Sequence, residues 1–277
     1  DNGVFYNSFY MSSVIFPSSL SEIKENVFVN CTYLENITWN GWTGEMDHID
    51  INSFSGCPSD GTVAINNIGE YESIDLLNYL IQHGGLPESW KAALPESVLD
   101  IDANNVLQGF KSDINLSQYE STCDTIRIPS RVTSIADGAF YHDGTFYNAS
   151  SSVIPSFITK LAFAENSNCS IIGEYSFSMS PLTSVTFQNS LETIGEGAFE
   201  GSLNLSSITL PISLITIGQE AFMNCGRLWF IGWDLPSDYQ ISITVGANAF
   251  KNLNSFGNVK SLNPSITSQE LLDWIKT

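Results

Sequence analysis

Ser190–Gly201 reads SLETIGEGAFEG, and 23 residues later Ser213–Asn224 reads SLITIGQEAFMN. The shared letters form a frame, Ile followed by four residues and a Phe, and mainly polar letters change. The frame recurs as Ile23/Phe28, Ile49/Phe54, Ile135/Phe140, Ile172/Phe177, Ile194/Phe199, Ile217/Phe222 and, with Val in the first place, Val245/Phe250. Subtraction gives Phe-to-Phe spacings of 26, 86, 37, 22, 23 and 28 residues. An echo at such a period constrains the fold more than composition does, because it denotes stacked units. The 37 and the 86 mark insertions.

An apolar triplet, L-x-x-I-x-L, precedes the frame. Examples are Leu205–Leu210 (LSSITL), Leu182–Phe187 (LTSVTF), Leu34–Trp39 (LENITW) and Met11–Phe16 (MSSVIF). Ile158–Phe163 and Leu228–Trp233 also fit. Apolar–polar alternation around a β-branched centre predicts a short strand with one buried face. Pro follows several of them, as at Pro17, Pro129 and Pro211, and stops the strand. One unit cannot bury its own Phe; stacked units cover one another. The expected fold is a repeat solenoid poor in helix, with short parallel strands. Its core letters are the Ile and Phe of each frame.

The stretch LSSITLPISLITIGQEAFMNCGRLWFI (Leu205–Ile231) resembles a unit of the BspA-type leucine-rich repeats of surface proteins from host-associated bacteria and some mucosal protists. The resemblance covers roughly residues 10–65 and 124–262. It implies a right-handed leucine-rich-repeat solenoid and a non-catalytic role at the cell surface or after secretion. The implied partners are host matrix, mucosal or microbial surface proteins. A structural spacer within a longer surface protein is the alternative, and a surface enzyme the second.

The frame divides the chain into two repeat units over 1–65, a helical insert over 66–122, about five repeat units over 123–262 and a terminal helix over 263–277. In the insert, Ser73–Gly85 (SIDLLNYLIQHGG) predicts a helix capped by Ser73, with Leu76, Leu77, Leu80 and Ile81 as its apolar stripe and Gly84–Gly85 as its end. Leu86–Leu94 predicts a second short helix. Ser268–Lys276 (SQELLDWIK) matches Ser73–Ile81, which suggests a super-repeat of about 195 residues, the difference between Ser268 and Ser73. On that reading the chain is cut at the start of another helical module, the alternative being a chance likeness of two amphipathic helices; separately, Asp1 opens the chain with no basic or apolar leader, which reads as a mature or trimmed fragment. Tyr141–Ser156 is polar and turn-rich, a surface loop.

Ten Lys and Arg stand against thirty Asp and Glu, a net charge of −20. That balance argues against nucleic acid and anionic lipid as partners. No run of 18 apolar residues exists, so no membrane insertion is expected. Cys31, Cys57 and Cys225 each fall three places after a frame Phe, which reads as a small apolar slot inside a turn. Cys31 and Cys57 fall on adjacent turns, and whether they are bridged stays open. Six N-x-S/T sequons (at Asn30, Asn36, Asn115, Asn148, Asn168 and Asn204) match what a chain rich in Asn, Ser and Thr carries by chance.

Catalysis needs a nucleophile with a base, a metal cluster or paired acids. His48, His83 and His142 share no motif, and hydrolase, zinc-protease and phosphate-loop signatures are missing. Asp100–Lys111 has Asp100, Asp102 and Asn104 where a calcium loop has ligands, but Lys111 stands where the bidentate Glu belongs. No catalytic residue, metal or cofactor is therefore expected. The residues flanking each strand's central apolar position, Thr125 among them, face outward, and half are Ser or Thr. Arg227–Trp233 (RLWFIGW) breaks that rule with Trp229 and Phe230 beside Arg227, the composition of an interaction hot spot. The alternative is that Trp229 and Phe230 pack under Asp234–Gln240. Trp42 is a second candidate, on a loop, whereas Trp39 and Trp233 occupy buried strand slots.

Overall fold

The computed structural model describes residues 2–44, 46–58, 61–66, 71–141, 154–164, 166–233, 243–253 and 258–261. Its elements run β1 (Ser13–Phe16), β2 (Glu22–Ile23), β3 (Asn36–Asn40), β4 (His48–Ile49), β5 (Thr62–Asn66), α1 (Ser73–Gly84), β6 (Lys91–Ala93), β7 (Leu99–Ile101), β8 (Val106–Phe110) and β9 (Cys123–Ile128). They continue as β10 (Ser134–Ile135), β11 (Lys160–Phe163), β12 (Ile171–Ile172), β13 (Ser184–Thr186), β14 (Thr193–Ile194), β15 (Ser207–Leu210), β16 (Thr216–Ile217), β17 (Phe230–Trp233), β18 (Thr244–Val245) and β19 (Asn258–Ser261). Contacts group the chain into two compact units, Asp1–Pro95 with Gln118–Thr125, and Glu96–Ser117 with Ile126–Thr277.

Each unit is a stack of parallel turns, the solenoid that the repeat requires. In the second unit β13, β15 and β17 pair in register, Ser184 opposite Ser207 and Ser207 opposite Phe230. A second ladder joins the frame Ile residues, Ile135 to Ile172 to Ile194 to Ile217 to Val245. The Phe residues form a third column. Phe177, Phe199, Phe222 and Phe250 stack 5.2–5.3 Å apart with ring planes within 7°, close to the strand spacing of about 4.8 Å. In the first unit Phe28 stacks on Phe54 at 5.0 Å. All seven frame Phe residues are buried, as are Ile23, Ile135, Ile172, Ile194 and Ile217. Ile49 and Val245 are half-buried.

Phe140 departs from the strict stack that the frame predicts. It lies 5.1 Å from Phe177, but its ring is tilted by 22° where the following pairs stay within 7°. Its other side meets no frame Phe. Phe110, at the end of β8, packs edge-on against it at 4.9 Å and 68°. The cause is the preceding turn: the β7–β8 hairpin replaces the Ile–Phe frame there, so Phe110 arrives from a strand instead of a stacked arm, and an edge-to-face contact is the favourable one for that approach. The backbone of the arm is regular, with Phe140 N donating to Ser176 O at 2.9 Å.

Backbone geometry explains the remaining shared letters. The N–H of Phe177, Phe199 and Phe222 donates to the carbonyl just before the next Phe, on Ala198, Ala221 and Ala249, at 2.8 Å each. Keeping that ladder demands left-handed φ two places before and two after the Phe, as at Gly197 (57°), Gly201 (68°), Asn248 (61°) and Asn252 (61°). Gly and Asn adopt it at the smallest cost. The Gly after the frame Ile has a different cause. A Cβ on Gly218 would lie 2.5 Å from Glu196 N, and one on Gly195 would lie 2.7 Å from Glu174 N. Successive turns touch there backbone to backbone.

The cysteine slot is buried at Cys31 and Cys225, as expected of a small apolar slot inside a turn, and there the thiols also donate. Cys225 Sγ donates to Phe199 O at 3.1 Å, and Cys31 Sγ donates to Phe5 O at 3.1 Å. Ser202 does the same to Phe177 O at 3.1 Å. Burial pushes the Cys225 thiol up to about 12 and keeps its proton in place. Cys31 and Cys57 are both free thiols.

The 66–122 segment is not a separate insert. Its first part, through Pro95, belongs to the first unit, and Glu96–Ser117 belongs to the second. β5 pairs with β3 in register (Ile37 opposite Val63), so the first unit's sheet continues into it. α1 then occupies the place of the next Phe arm: Phe54 N donates to Gly84 O at 3.2 Å, where other turns offer the carbonyl before a Phe. Leu76, Leu77 and Leu80 are buried, whereas Ile81 is only half-buried. Ser73 is not the cap. Its hydroxyl accepts Ile65 N at 3.0 Å, while Asp75 closes the helix start by accepting Glu72 N at 2.7 Å. Gly85, in left-handed conformation (φ 70°), ends the helix.

The second helix expected at Leu86–Leu94 is instead β6, paired with β5 at Thr62/Lys91 and Val63/Ala92. Trp90 anchors it, donating from Nε1 to Pro58 O at 2.9 Å. Sheet pairing and that burial override a weak helix propensity. The terminal helix and most of the Tyr141–Ser156 loop lie outside the described residues.

Candidate binding face

The Cys225–Leu228 turn aims the candidate segment. Leu228 N donates to Cys225 O at 2.9 Å, and Trp229 N then reaches Ser206 O at 3.1 Å. Leu228 and Ile231 are buried beneath, 2% exposed each. Alternation along β17 turns Phe230 to the face opposite the buried Ile231, and Trp229 lies just before the strand. Trp229 is 52% exposed, Phe230 half-buried and Arg227 exposed. The Trp229 and Phe230 rings lie 6.1 Å apart at 60°.

Gly232 decides how Phe230 sits. A Cβ there would come within 2.9 Å of Phe230 Cε1 and 3.3 Å of Thr209 Oγ1. The ring therefore lies along its own strand, over the glycine. On the β15 side the outward rows are hydroxyls, Ser184 and Ser207 on one line and Thr186 and Thr209 on the next, while β19 sets Asn258 opposite Phe230 and Lys260 opposite Gly232. The result is an aromatic step flanked by hydroxyls on its β15 side, with the exposed Arg227 three residues before Phe230. The segment Asp234–Gln240, which would pack over it in the alternative reading, lies outside the described residues.

Trp42 does not belong to a binding face. It is 4% exposed, held edge-on against Tyr71 at 5.2 Å and Tyr79 at 5.5 Å. Tyr79 comes from α1, so the helix that replaces a Phe arm also covers the loop that suggested exposure. Thr125, expected to face outward, is likewise buried. A register shift between β6 and β9 accompanies it, and its hydroxyl lies 2.7 Å from Asp124 Oδ1. Conversely, Met179 at 70% and Leu203 at 62% exposure are surface residues that the repeat pattern did not single out.

Among the described residues, the histidines and the Asp100–Lys111 loop are not brought together into one site. His48 lies on β4, and His83 stacks on Tyr79 at 4.4 Å; His142 lies outside the described residues. The Asp100–Lys111 loop is the β7–β8 hairpin. Asp102 Oδ1 accepts the amides of Asn104 at 2.8 Å and Val106 at 2.9 Å, so this carboxylate is committed to its own turn. Among the described residues no group of three or more His, Cys, Asp or Glu is placed to hold a metal ion. No helix among them is long and apolar enough to cross a membrane.

Acidic side chains do meet along the turns. Tyr175 OH donates to Glu196 Oε1 at 2.8 Å, and chiefly that bond pushes the phenol up to about 12. Glu200 is raised by burial, then by Glu220 and Glu196 beside it. A pKa raised by folding means that stability is present while the group is protonated and is lost as pH rises through the carboxylate range. Glu200→Gln is therefore expected to raise the melting temperature near pH 7 by about 1–2 °C. Near pH 3 the difference should vanish, because the carboxyl is then neutral in both states. Melting curves of the two chains at both pH values check it.

The family model for the BspA-type leucine-rich repeat region matches six copies, over residues 1–76, 114–228 and 155–267. No curated protein matches the chain. Among solved structures, a leucine-rich cell surface protein of Faecalibacterium prausnitzii is 17% identical with a TM-score of 0.44, covering all of this chain and 85% of that one. The pneumococcal vaccine antigen PcpA is 15% identical with a TM-score of 0.36, covering 88% of this chain and 55% of that one. A leucine-rich repeat protein of Bacteroides ovatus is 19% identical with a TM-score of 0.31, over 92% and 80% of the two chains. By its six repeat copies and the parallel ladders they build, the chain belongs to the BspA-type leucine-rich repeat family.

Proposed function

We propose that this chain is a non-catalytic binding protein acting at a cell surface or after secretion. It engages a protein partner through Trp229 and Phe230, with Arg227 at their edge. The exposure of Trp229 beside a buried Leu228 and Ile231 carries the reading. A large aromatic held outward by a rigid strand loses little freedom on binding, and aromatics with Arg dominate measured interfaces. The net charge of −20 favours a basic or neutral partner surface. Family membership supports a surface role, and the partner class is a host matrix, mucosal or microbial surface protein.

The test is binding of the purified chain to immobilised fibronectin, fibrinogen and mucin at two salt concentrations, beside the Trp229→Ala/Phe230→Ser double variant. The expected result is saturable binding that the variant weakens by at least about tenfold. Its melting temperature should stay within about 3 °C of the parent, because Trp229 is exposed and Phe230 half-buried on the outer face of β17. A large drop in melting temperature would mark Trp229 and Phe230 as core. Binding equal in both chains would move the site elsewhere. Binding to none of the three would favour a spacer role.

A further inference from the structure

The slot three places after each frame Phe keeps the same backbone on successive turns. Its N–H donates to the carbonyl of its own Phe. Cys31 N to Phe28 O, Cys57 N to Phe54 O and Ser180 N to Phe177 O each measure 3.2 Å, and Ser202 N to Phe199 O measures 3.1 Å. The bonds between turns also correspond. Phe28 N reaches Ser53 O at 2.9 Å and Asn30 N reaches Ser55 O at 2.8 Å, as Phe177 N reaches Ala198 O at 2.8 Å and Met179 N reaches Glu200 O at 2.7 Å. The Phe28 and Phe54 rings stand 5.0 Å apart at 3°, and those of Phe177 and Phe199 stand 5.3 Å apart at 7°. In the second unit two consecutive slots hold Ser180 and Ser202, whose hydroxyl oxygens lie 2.9 Å apart. In the first unit two consecutive slots hold Cys31 and Cys57. Phe28 O joins them: it accepts Cys31 N at 3.2 Å and Cys57 Sγ at 3.5 Å. Ser202 Oγ donates to Phe177 O in the same way, at 3.1 Å. Burial pushes the Cys57 thiol up to about 12, and the neighbouring Cys31 adds to the rise. Cys225 has no such partner, because the slots on either side of it hold Ser202 and Leu253.

We propose that Cys31 and Cys57 are a disulfide-forming pair, closed by a small-molecule disulfide such as oxidised glutathione, and that the bridge clamps the Phe28 and Phe54 turns together. Turns at the strand spacing of about 4.8 Å set the two α-carbons within the range of about 4.4–6.8 Å that a disulfide spans. The backbone therefore stays where it is. In the reduced form Cys31 Sγ donates to Phe5 O. Turning it about its Cα–Cβ bond toward Cys57 gives the arrangement that Ser180 and Ser202 already hold. Cys57 is half-buried and Cys31 fully buried, which sets the order of the chemistry. The Cys57 thiol loses its proton and attacks the small disulfide, whose S–S bond breaks and releases one small thiol. Cys31 then loses its proton and attacks the Cys57 sulfur of the mixed disulfide, and the second small thiol leaves. Two protein thiols are oxidised, and one small disulfide is reduced to two thiols. The raised pKa keeps the Cys57 thiolate scarce at neutral pH, so the first step is slow in the folded chain. The bridge closes a loop of 26 residues, by subtraction, which restricts the unfolded chain and stabilises the first unit. A surface or secreted protein meets the oxidising conditions under which such a bridge persists. The clamp does not depend on Trp229 and Phe230 binding a partner.

The test has two arms. The folded chain is incubated with oxidised glutathione at about pH 8.5, where thiolate is more abundant. A second sample is unfolded, then refolded in a mixture of reduced and oxidised glutathione. Remaining thiols are alkylated after unfolding, and bridged peptides are identified by mass. The five free thiols are expected to fall to three, with one bridged peptide pair that holds Cys31 and Cys57 of the same chain. The bridged chain should melt several degrees higher than the reduced one, and a reductant should remove the difference. In Cys31→Ser the mixed disulfide of Cys57 with glutathione should accumulate, because the thiol that resolves it is gone. In Cys57→Ser the four remaining thiols, by subtraction, should all persist. Ser fills the same slot at Ser180 and Ser202, so both variants keep a donor there. Should a variant fail to fold, peptide mapping of the parent decides alone. Bridging in the refolded arm only supports the clamp and overturns Cys57 as its entry point in the folded chain. Five free thiols after both treatments, a bridge to Cys123, Cys169 or Cys225, or a bridge found only between two chains overturns the proposal.

Discussion

Phe199→Ala is expected to cost the second unit about 3–5 kcal/mol, the range for emptying a buried aromatic site. Phe199 is fully buried and stacks on Phe177 at 5.3 Å and Phe222 at 5.2 Å, with Phe187 edge-on at 6.1 Å. Little room exists for collapse, because the backbone bonds at Phe177 N and Phe199 N hold the turns at their spacing. The loss should reach beyond its own turn, since turns in a solenoid draw stability from neighbour contacts. Chemical denaturation measures the size of the effect. Hydrogen exchange measures its reach, with faster exchange expected at the Phe177 and Phe222 arms. Exchange accelerated in the Phe199 turn alone would contradict a stack whose turns support each other.

Gly218→Ala is expected to destabilise by about 1–3 kcal/mol, at the upper end of that range for overpacking. The added methyl would lie 2.5 Å from both Glu196 N and Gly195 C, which are backbone atoms of the preceding turn. A backbone cannot swing aside as a side chain can, so the two turns must separate and weaken the Ile194–Ile217 pairing. Gly232→Ala is the matched contrast. Its nearest obstacle is the Phe230 ring, which can rotate away. The stability change there should be small, and near-ultraviolet circular dichroism or partner binding should register the displaced ring. Equal stability losses at Gly218 and Gly232 would show that close backbone approach is not what the first glycine serves.

Trp42 shows where reading a single stretch fails. The surrounding Asn40–Glu45 letters, NGWTGE, are turn-forming, and turns are usually exposed. Burial came from Tyr79, 37 residues further along the chain by subtraction, on a helix whose position no local letter encodes. Lys91–Ala93 is a second case. Its letters suit a helix, yet an adjacent strand edge with free backbone groups made a strand the better state. Phe5 is a third: its place in the Phe column shows only in its stack on Phe28 at 5.3 Å. Phe140 is a fourth: its frame letters are complete, yet its tilt depends on Phe110, 30 residues earlier by subtraction.

What the sequence determined by itself is the stack. The Ile and Phe of each frame recur at a period that only stacking can bury, and the Gly and Asn around them mark the backbone conformations which keep the turns aligned. Those are local demands, repeated turn after turn, so a single chain displays them openly. What only the tertiary structure decided is where the pattern is replaced: α1 in the place of a Phe arm, and Trp42 beneath it. Each depends on which surface a neighbouring turn leaves free, and that is set by contacts between residues far apart in the chain.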